Sequence, residues 1–216
     1  MPKIVLKNIT VKYGNKTPIV AVNNLSTEFL DNKINVIIGK SGSGKTSLLR
    51  AILGLENYEG EIYFDEDNAL SLSQRDKNIG YVSQNIVLYP FTNIFNNIAN
   101  PLKNTVASIE EIKRRVFDVS KMLGIEHCLM RKPSQISIGQ AQRVAIGRAL
   151  VKNPNIFIFD EAYERGLLLQ SLELSKLDVN MFGAVNNSLI NDGCGLYRGR
   201  LILPYEHLSR FQNDLI

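Results

Sequence analysis

The chain has 216 residues, of which 44% are hydrophobic and 21% charged, and a net charge of +4. That is enough for one domain with a substantial core, with the ordinary composition of a globular protein rather than a disordered or fibrous one. The small positive excess is scattered without a basic block, which argues against nucleic-acid binding, and no apolar run approaches the ~18 residues of a membrane-spanning helix. Two isolated cysteines, Cys128 and Cys194, suit a reducing cytoplasm, and two histidines, His127 and His207, are too few for a His-based metal site. Met1–Lys7 is interrupted by charges and reads as a strand rather than a signal peptide.

In chain order, residues 3–13 alternate as a strand with Ile4, Leu6, Ile9 and Val11 apolar. A turn at Tyr13-Gly14-Asn15-Lys16 leads to a second extended run through Ile19, Val20, Val22, Leu25 and Phe29. After Asp31-Asn32-Lys33 comes the apolar run Ile34–Ile38, and directly behind it Gly39-Lys40-Ser41-Gly42-Ser43-Gly44-Lys45-Thr46. This octet matches G-x-x-x-x-G-K-[ST], and Ser47–Gly54 reads as the helix that follows. Strand, loop and helix in that order form an anion cradle. Glycines let backbone N–H groups turn inward, and the helix N-terminus adds unpaired donors and the positive end of its dipole. Lys45 is expected on the β/γ-phosphates of a nucleotide and the Thr46 hydroxyl on Mg²⁺.

Glu59–Asp65 reads as a further strand, and Asn78–Gln84 as a short one ending in a polar residue. Residues 92–131 read as mostly helical; Ser108 with Glu111 predicts a capping box, and Gly124 ends that segment. A helix is expected over Ala141–Val151, stopped by Asn153-Pro154-Asn155. The four apolar residues Ile156–Phe159 then read as a strand buried on both faces, ending in Asp160-Glu161. An apolar strand ending in acids, distant in sequence from a phosphate loop, is a P-loop NTPase plan. In such a plan the second strand lies near the first and brings Asp160 close to Mg²⁺.

Taken together, these motifs resemble the nucleotide-binding subunit of an ABC transporter. The resemblance rests on five stretches between residues 13 and 161. Tyr13 matches the aromatic residue that stacks on adenine, and Gly39–Thr46, with Ser47 behind it, matches the Walker A loop. Gln84 matches the Q-loop glutamine, which contacts Mg²⁺ or attacking water and faces the membrane partner. Ile136-Ser137-Ile138-Gly139-Gln140-Ala141-Gln142-Arg143 resembles the signature L-S-G-G-Q, with Ile136 and Ile138 departing from it. Asp160 matches the Mg²⁺-binding Walker B aspartate, and Glu161 the carboxylate that polarises water. In the family, Ser137, Gly139 and Gln140 would bind the γ-phosphate of ATP held by a second subunit, with the Ile138 side chain weakening that closure. Val87–Phe91, Ile94–Ala99 and Pro101-Leu102 resemble the subgroup that energises import of sugars and similar solutes.

The resemblance implies an α/β fold: a P-loop NTPase core of ABC ATPase type with an N-terminal antiparallel β-subdomain and a helical subdomain at about residues 86–140. The cassette would occupy residues 1–161. Residues 162–216 form a divergent C-terminal segment, a remnant of the cassette end or of an accessory domain, so that the C-terminal part is incomplete. The implied cofactors are ATP and Mg²⁺. The implied partners are transmembrane permease subunits and a second ATP-binding subunit in a homo- or heterodimer, with no nucleic acid. The implied location is peripheral, on the cytoplasmic face of the cell membrane.

The tail departs from the family pattern. Leu174-Ser175-Lys176-Leu177-Asp178 has the letters of a D-loop but stands late, and no histidine lies between His127 and His207 to serve as the switch histidine. His207, in Leu203–Leu208, is wrong for a strand end, and Ser188–Gly193 reads as a hairpin. A segment with that histidine and at least one core strand is expected to be missing or replaced. A lost γ-phosphate donor commonly costs about 10²–10³ in rate. Two readings therefore stand: an ATPase subunit of an importer, and a degenerate cassette that binds ATP without hydrolysing it efficiently. A soluble ABC protein of DNA repair or translation ranks behind both.

Overall fold

The computed structural model describes residues 2–31, 34–39, 42–103, 108–160, 180–186, 195–197 and 200–202. In chain order its strands are β1 (Ile4–Tyr13), β2 (Ile19–Phe29), β3 (Ile34–Gly39), β4 (Glu59–Phe64), β5 (Asp67–Asn68), β6 (Ile79–Val82), β7 (Ile156–Asp160), β8 (Asn180–Asn186), β9 (Gly195–Tyr197) and β10 (Arg200–Ile202). The helices are α1 (Lys45–Ile52), α2 (Gln74–Lys77), α3 (Ile94–Ala99), α4 (Ile109–Met122) and α5 (Ile138–Leu150).

An antiparallel sheet runs in the order β2-β1-β4-β5. The apolar residues of β1 change phase between Leu6 and Ile9, and strict alternation would turn one pair outward. A register irregularity absorbs the slip: Asn8 adopts a left-handed φ of 53°, and Ile4, Leu6, Ile9 and Val11 are all buried. The second sheet is parallel, in the order β3-β8-β7-β6. β7 is therefore not adjacent to β3. β8, from the segment where a core strand is expected to be missing or replaced, pairs with both of them.

β7 is buried along its whole length, and its alternate residues serve two cores. Phe157 and Phe159 pack with Val82, Ile94, Ile98, Val116, Val144 and neighbours of α3, α4 and α5. Ile156 and Ile158 pack with α1 and the antiparallel sheet, through Leu48, Leu49, Ile52, Ile62 and Phe64. One five-residue strand thus separates the phosphate-loop side from the helical side. Gly80 on β6 permits the close fit: a Cβ there would lie 2.8 Å from the Phe157 ring.

Several boundaries differ from the sequence reading. α1 begins at Lys45 rather than Ser47, and α5 at Ile138 rather than Ala141. Between residues 92 and 131 the helical pieces are α3, α4 and short 3-10 turns at Asn100–Leu102 and Glu126–Cys128. Only half of the capping box at Ser108 forms. Ser108 Oγ accepts the Glu111 N–H at 3.2 Å, while the Glu111 carboxylate accepts from Arg115 Nε at 2.9 Å instead of reaching back. A complete box stands at α5, where Ser137 Oγ accepts the Gln140 N–H and Gln140 Oε1 accepts the Ser137 N–H.

Candidate functional site

β3 delivers the chain to the glycine-rich loop, and α1 receives it. Gly42 and Gly44 have φ of 78° and 88°, left-handed conformations that suit glycine. Gly44 is the N-cap of α1 and offers no side-chain cap, so the first N–H groups of α1 carry no cap acceptor from that residue. That leaves the helix start open to an anion. The loop also presses on β2: a Cβ at Gly44 would lie 2.1 Å from the Ala21 carbonyl oxygen. Gly44→Ala is expected to lose about 1–3 kcal/mol of stability from the strained φ alone, before the clash is counted. A wild-type midpoint in chemical denaturation would show that the loop relaxes away from β2.

Lys45, the first residue of α1, is only 6% exposed, and Thr46 and Ser47 are half-buried beside it. Thr46 Oγ1 donates to Asp160 Oδ1 at 2.8 Å. Asp160 is the last residue of β7 and 2% exposed. The period of two places Ile156, Ile158 and Asp160 on the α1 face of β7, which is how a residue at the strand end meets the first turn of a helix 114 positions earlier. The second carboxylate oxygen is also engaged, because Tyr81 Oη on β6 donates to Asp160 Oδ2 at 3.1 Å. The Tyr81 phenol is pushed up to about 12, first by burial, then by the Asp160 charge and the hydrogen bond to it, against a smaller opposing influence of Arg50. At neutral pH it is a donor.

The hydroxyl and carboxylate oxygens at this point are the hard ligands that Mg²⁺ prefers. Among the described residues no cluster of three or more His, Cys, Asp or Glu forms a self-contained metal cage.

The remaining candidates lie around this centre or apart from it. Gly39 ends β3, and Ser43 is exposed in the loop. Tyr13 ends β1 with its side chain 36% exposed, opposite Ile19 of β2. Gln84 is exposed, two residues beyond the end of β6. Ser137, Gly139 and Gln140 form the start of α5, whose buried face belongs to the helical core, on the other side of β7 from α1. Among the described residues a Cβ at Gly139 would meet nothing within 4 Å, and Ile138 beside it is 77% exposed, so these two positions are uncovered, while Gln140 is half-buried. Lys40, Ser41 and Glu161 lie outside the described residues, as do the D-loop-like Leu174–Asp178, Ser188–Gly193 and His207. Sequence reasoning missed Tyr81. The signal was available, since β6 and β7 are neighbouring short strands and an aromatic hydroxyl stands three residues before Gln84, but it needed the strand register to be read.

A phosphate loop, a helix start open to anions and a buried aspartate hydrogen-bonded to the loop threonine define the class: a P-loop nucleotide-binding domain. The ABC transporter family model matches residues 22–164, and the chain belongs to that family. It is 43% identical over 162 residues to the sn-glycerol-3-phosphate import ATP-binding protein UgpC 3 of Agrobacterium fabrum, covering 74% of this chain and 45% of that protein. With the sn-glycerol-3-phosphate import ATP-binding protein UgpC of Psychromonas ingrahamii it shares 42% identity over 162 residues, 74% of this chain and 43% of that one. The chain thus spans about half the length of the curated relatives it matches. Among solved structures it is similar to the dimeric post-hydrolysis state of the ATP-binding cassette MJ0796 bound to ADP and phosphate. The TM-score is 0.75 at 30% identity, over 87% of this chain and 89% of that one. A second dimeric MJ0796 structure, described as a bacterial ABC transporter cassette, matches with TM-score 0.71, 31% identity, and 84% and 87% coverage.

Proposed function

We propose that the chain is the ATP-binding and ATP-hydrolysing subunit of an ABC importer, energising entry of a sugar-like solute through separate membrane permeases. The observation that carries this reading is the hydrogen bond from Thr46 to the buried Asp160, which ties the phosphate loop to the end of β7. Lys45 would neutralise the β/γ-phosphates, Thr46 and Asp160 would hold Mg²⁺, and Tyr13 would stack on adenine. Gln84 and Glu161 would orient and polarise the attacking water. The cation supplies charge neutralisation on the transferred phosphoryl group. Residues 1–161 would form the body of the cassette and 162–216 a divergent segment, a remnant of the cassette end or of an accessory domain; β8 in the parallel sheet favours the cassette end.

We infer a dimer from the two helix starts. That of α1 carries the phosphate loop, while that of α5, closed by its own capping box, leaves Gly139 and the exposed Ser137 beside it uncovered on the side of the other core. A second copy or a close relative would bring its α5 to the nucleotide held here. No helix among the described residues is long and apolar enough to cross a membrane. A peripheral place on the cytoplasmic face, with the exposed Gln84 segment towards the permease, fits this reading. The relatives are named as import ATP-binding proteins, which gives no support to a cassette that binds ATP without hydrolysing it efficiently.

Lys45→Ala tests the reading. ATP affinity, measured by isothermal titration, is expected to fall about tenfold to a hundredfold, the worth of hydrogen bonds to a charged group. An unchanged dissociation constant would refute the phosphate-loop assignment.

A further inference from the structure

Asp160 is held at both of its oxygens, and only one of the two partners belongs to the glycine-rich loop. The other, Tyr81, stands in β6 in register with Ile158 of β7. Residues in register in a parallel pair share a face, so Tyr81 and Asp160 lie on the same face, two residues apart along the strands. That step is within reach of a tyrosine side chain, and its hydroxyl ends 3.1 Å from Asp160 Oδ2. The ring packs against the same core as Ile156 and Ile158, which limits how the hydroxyl can swing. Its neighbours in sequence, Gly80 and Val82, are buried on the opposite face against Phe157 and the helical core. β6 is thereby fixed on both sides.

We propose that Tyr81 is a positioning residue for the cation end of the site, locking the Asp160 carboxylate in the orientation that Mg²⁺ requires. The proposal rests on the reading of this site as one for Mg-ATP. A carboxylate oxygen accepts two hydrogen bonds or ligands. With Thr46 on Oδ1 and Tyr81 on Oδ2, each oxygen keeps capacity for the cation or for one of its waters, while the carboxylate plane can no longer rotate. Thr46 alone would leave that rotation free. Tyr81 therefore acts through Asp160 and touches neither nucleotide nor cation. Partners that orient a ligating carboxylate commonly contribute about tenfold or more to metal affinity.

The test uses the whole chain and a fluorescent ATP analogue, titrated first in EDTA and then against Mg²⁺. The variants are Tyr81→Phe, which keeps the ring and removes the donor, and Tyr81→Met, which removes the donor with a different apolar shape. Thermal unfolding reports whether each is folded. The expected result is unchanged analogue binding in EDTA with the Mg²⁺ midpoint raised about tenfold in both variants. An unchanged Mg²⁺ midpoint overturns the proposal. So does a parallel loss of binding with and without Mg²⁺, or failure of both variants to fold, since either makes Tyr81 a purely structural residue. A wild-type chain that binds no analogue under either condition refutes the Mg-ATP reading itself, and that is visible before any variant is compared.

Discussion

Asp160→Ala is expected to lower Mg²⁺-dependent ATP turnover by about 10²–10³-fold, the scale of losing one electrostatic group aimed at the reacting centre. The cause is double. On the proposed reading the cation would lose its buried anionic ligand, and Thr46 Oγ1 and Tyr81 Oη lose the acceptor on which both converge. An unsatisfied buried donor costs about 1–3 kcal/mol, so a fall in thermal stability should accompany the loss of turnover. Asp160→Asn separates the two effects. It preserves the volume and one acceptor oxygen, so it should unfold closer to wild type while remaining defective in Mg²⁺-dependent phosphate release. Wild-type phosphate release by either variant would remove Asp160 from the chemistry.

Phe157→Ala should be the most damaging change to the fold, at about 3–5 kcal/mol of destabilisation measured by urea unfolding. Phe157 is fully buried, its ring centroid lies 4.5 Å from that of Phe159 at a tilt of 58°, and it occupies the space left by the missing Cβ of Gly80. Backbone pairing holds β6 and β7 at a set distance, so the cavity cannot close by moving the strands together. Domains of this kind are stable by only about 5–15 kcal/mol, and such a loss would consume a large part of that margin. A shift under about 1 kcal/mol would mean that the side chains of α3 and α5 relax into the void.

The phosphate loop was legible in the sequence because its requirements are local: an apolar strand, glycines able to take positive φ at 42 and 44, and a helix close behind, whose start at Lys45 lies two residues before the expected Ser47. β7 was equally legible, since four apolar residues followed by an acid have few other readings. What escaped was set by distance in the sequence. Nothing in Asn180–Asn186, which contains a glycine and ends in asparagine, announces a strand between β3 and β7; its neighbours select it. Tyr81 escaped for the same reason, because its partner is assigned by register and not by spacing. The capping residues show the converse limit. Ser108-x-x-Glu111 carries the pattern, yet Arg115 one turn on competes for the carboxylate. Ser137-x-x-Gln140 completes it with a neutral amide that no cation draws away.

The place of β8 in the sheet has a consequence for how the molecule is made. β3 leaves the ribosome long before the strand it pairs with in the parallel sheet, which is encoded far downstream. The antiparallel sheet and the helical core can form as their residues appear, because most of their partners are near in sequence. The phosphate-loop strand has to wait, since parallel pairings between remote segments close only after a large loss of chain entropy. Until Asn186 has left the ribosome, the nascent chain carries β3 and β7 without the strand that joins them, and a ribosome stalled before that point would hold a protein with its helices in order and its phosphate-loop strand still waiting for β8.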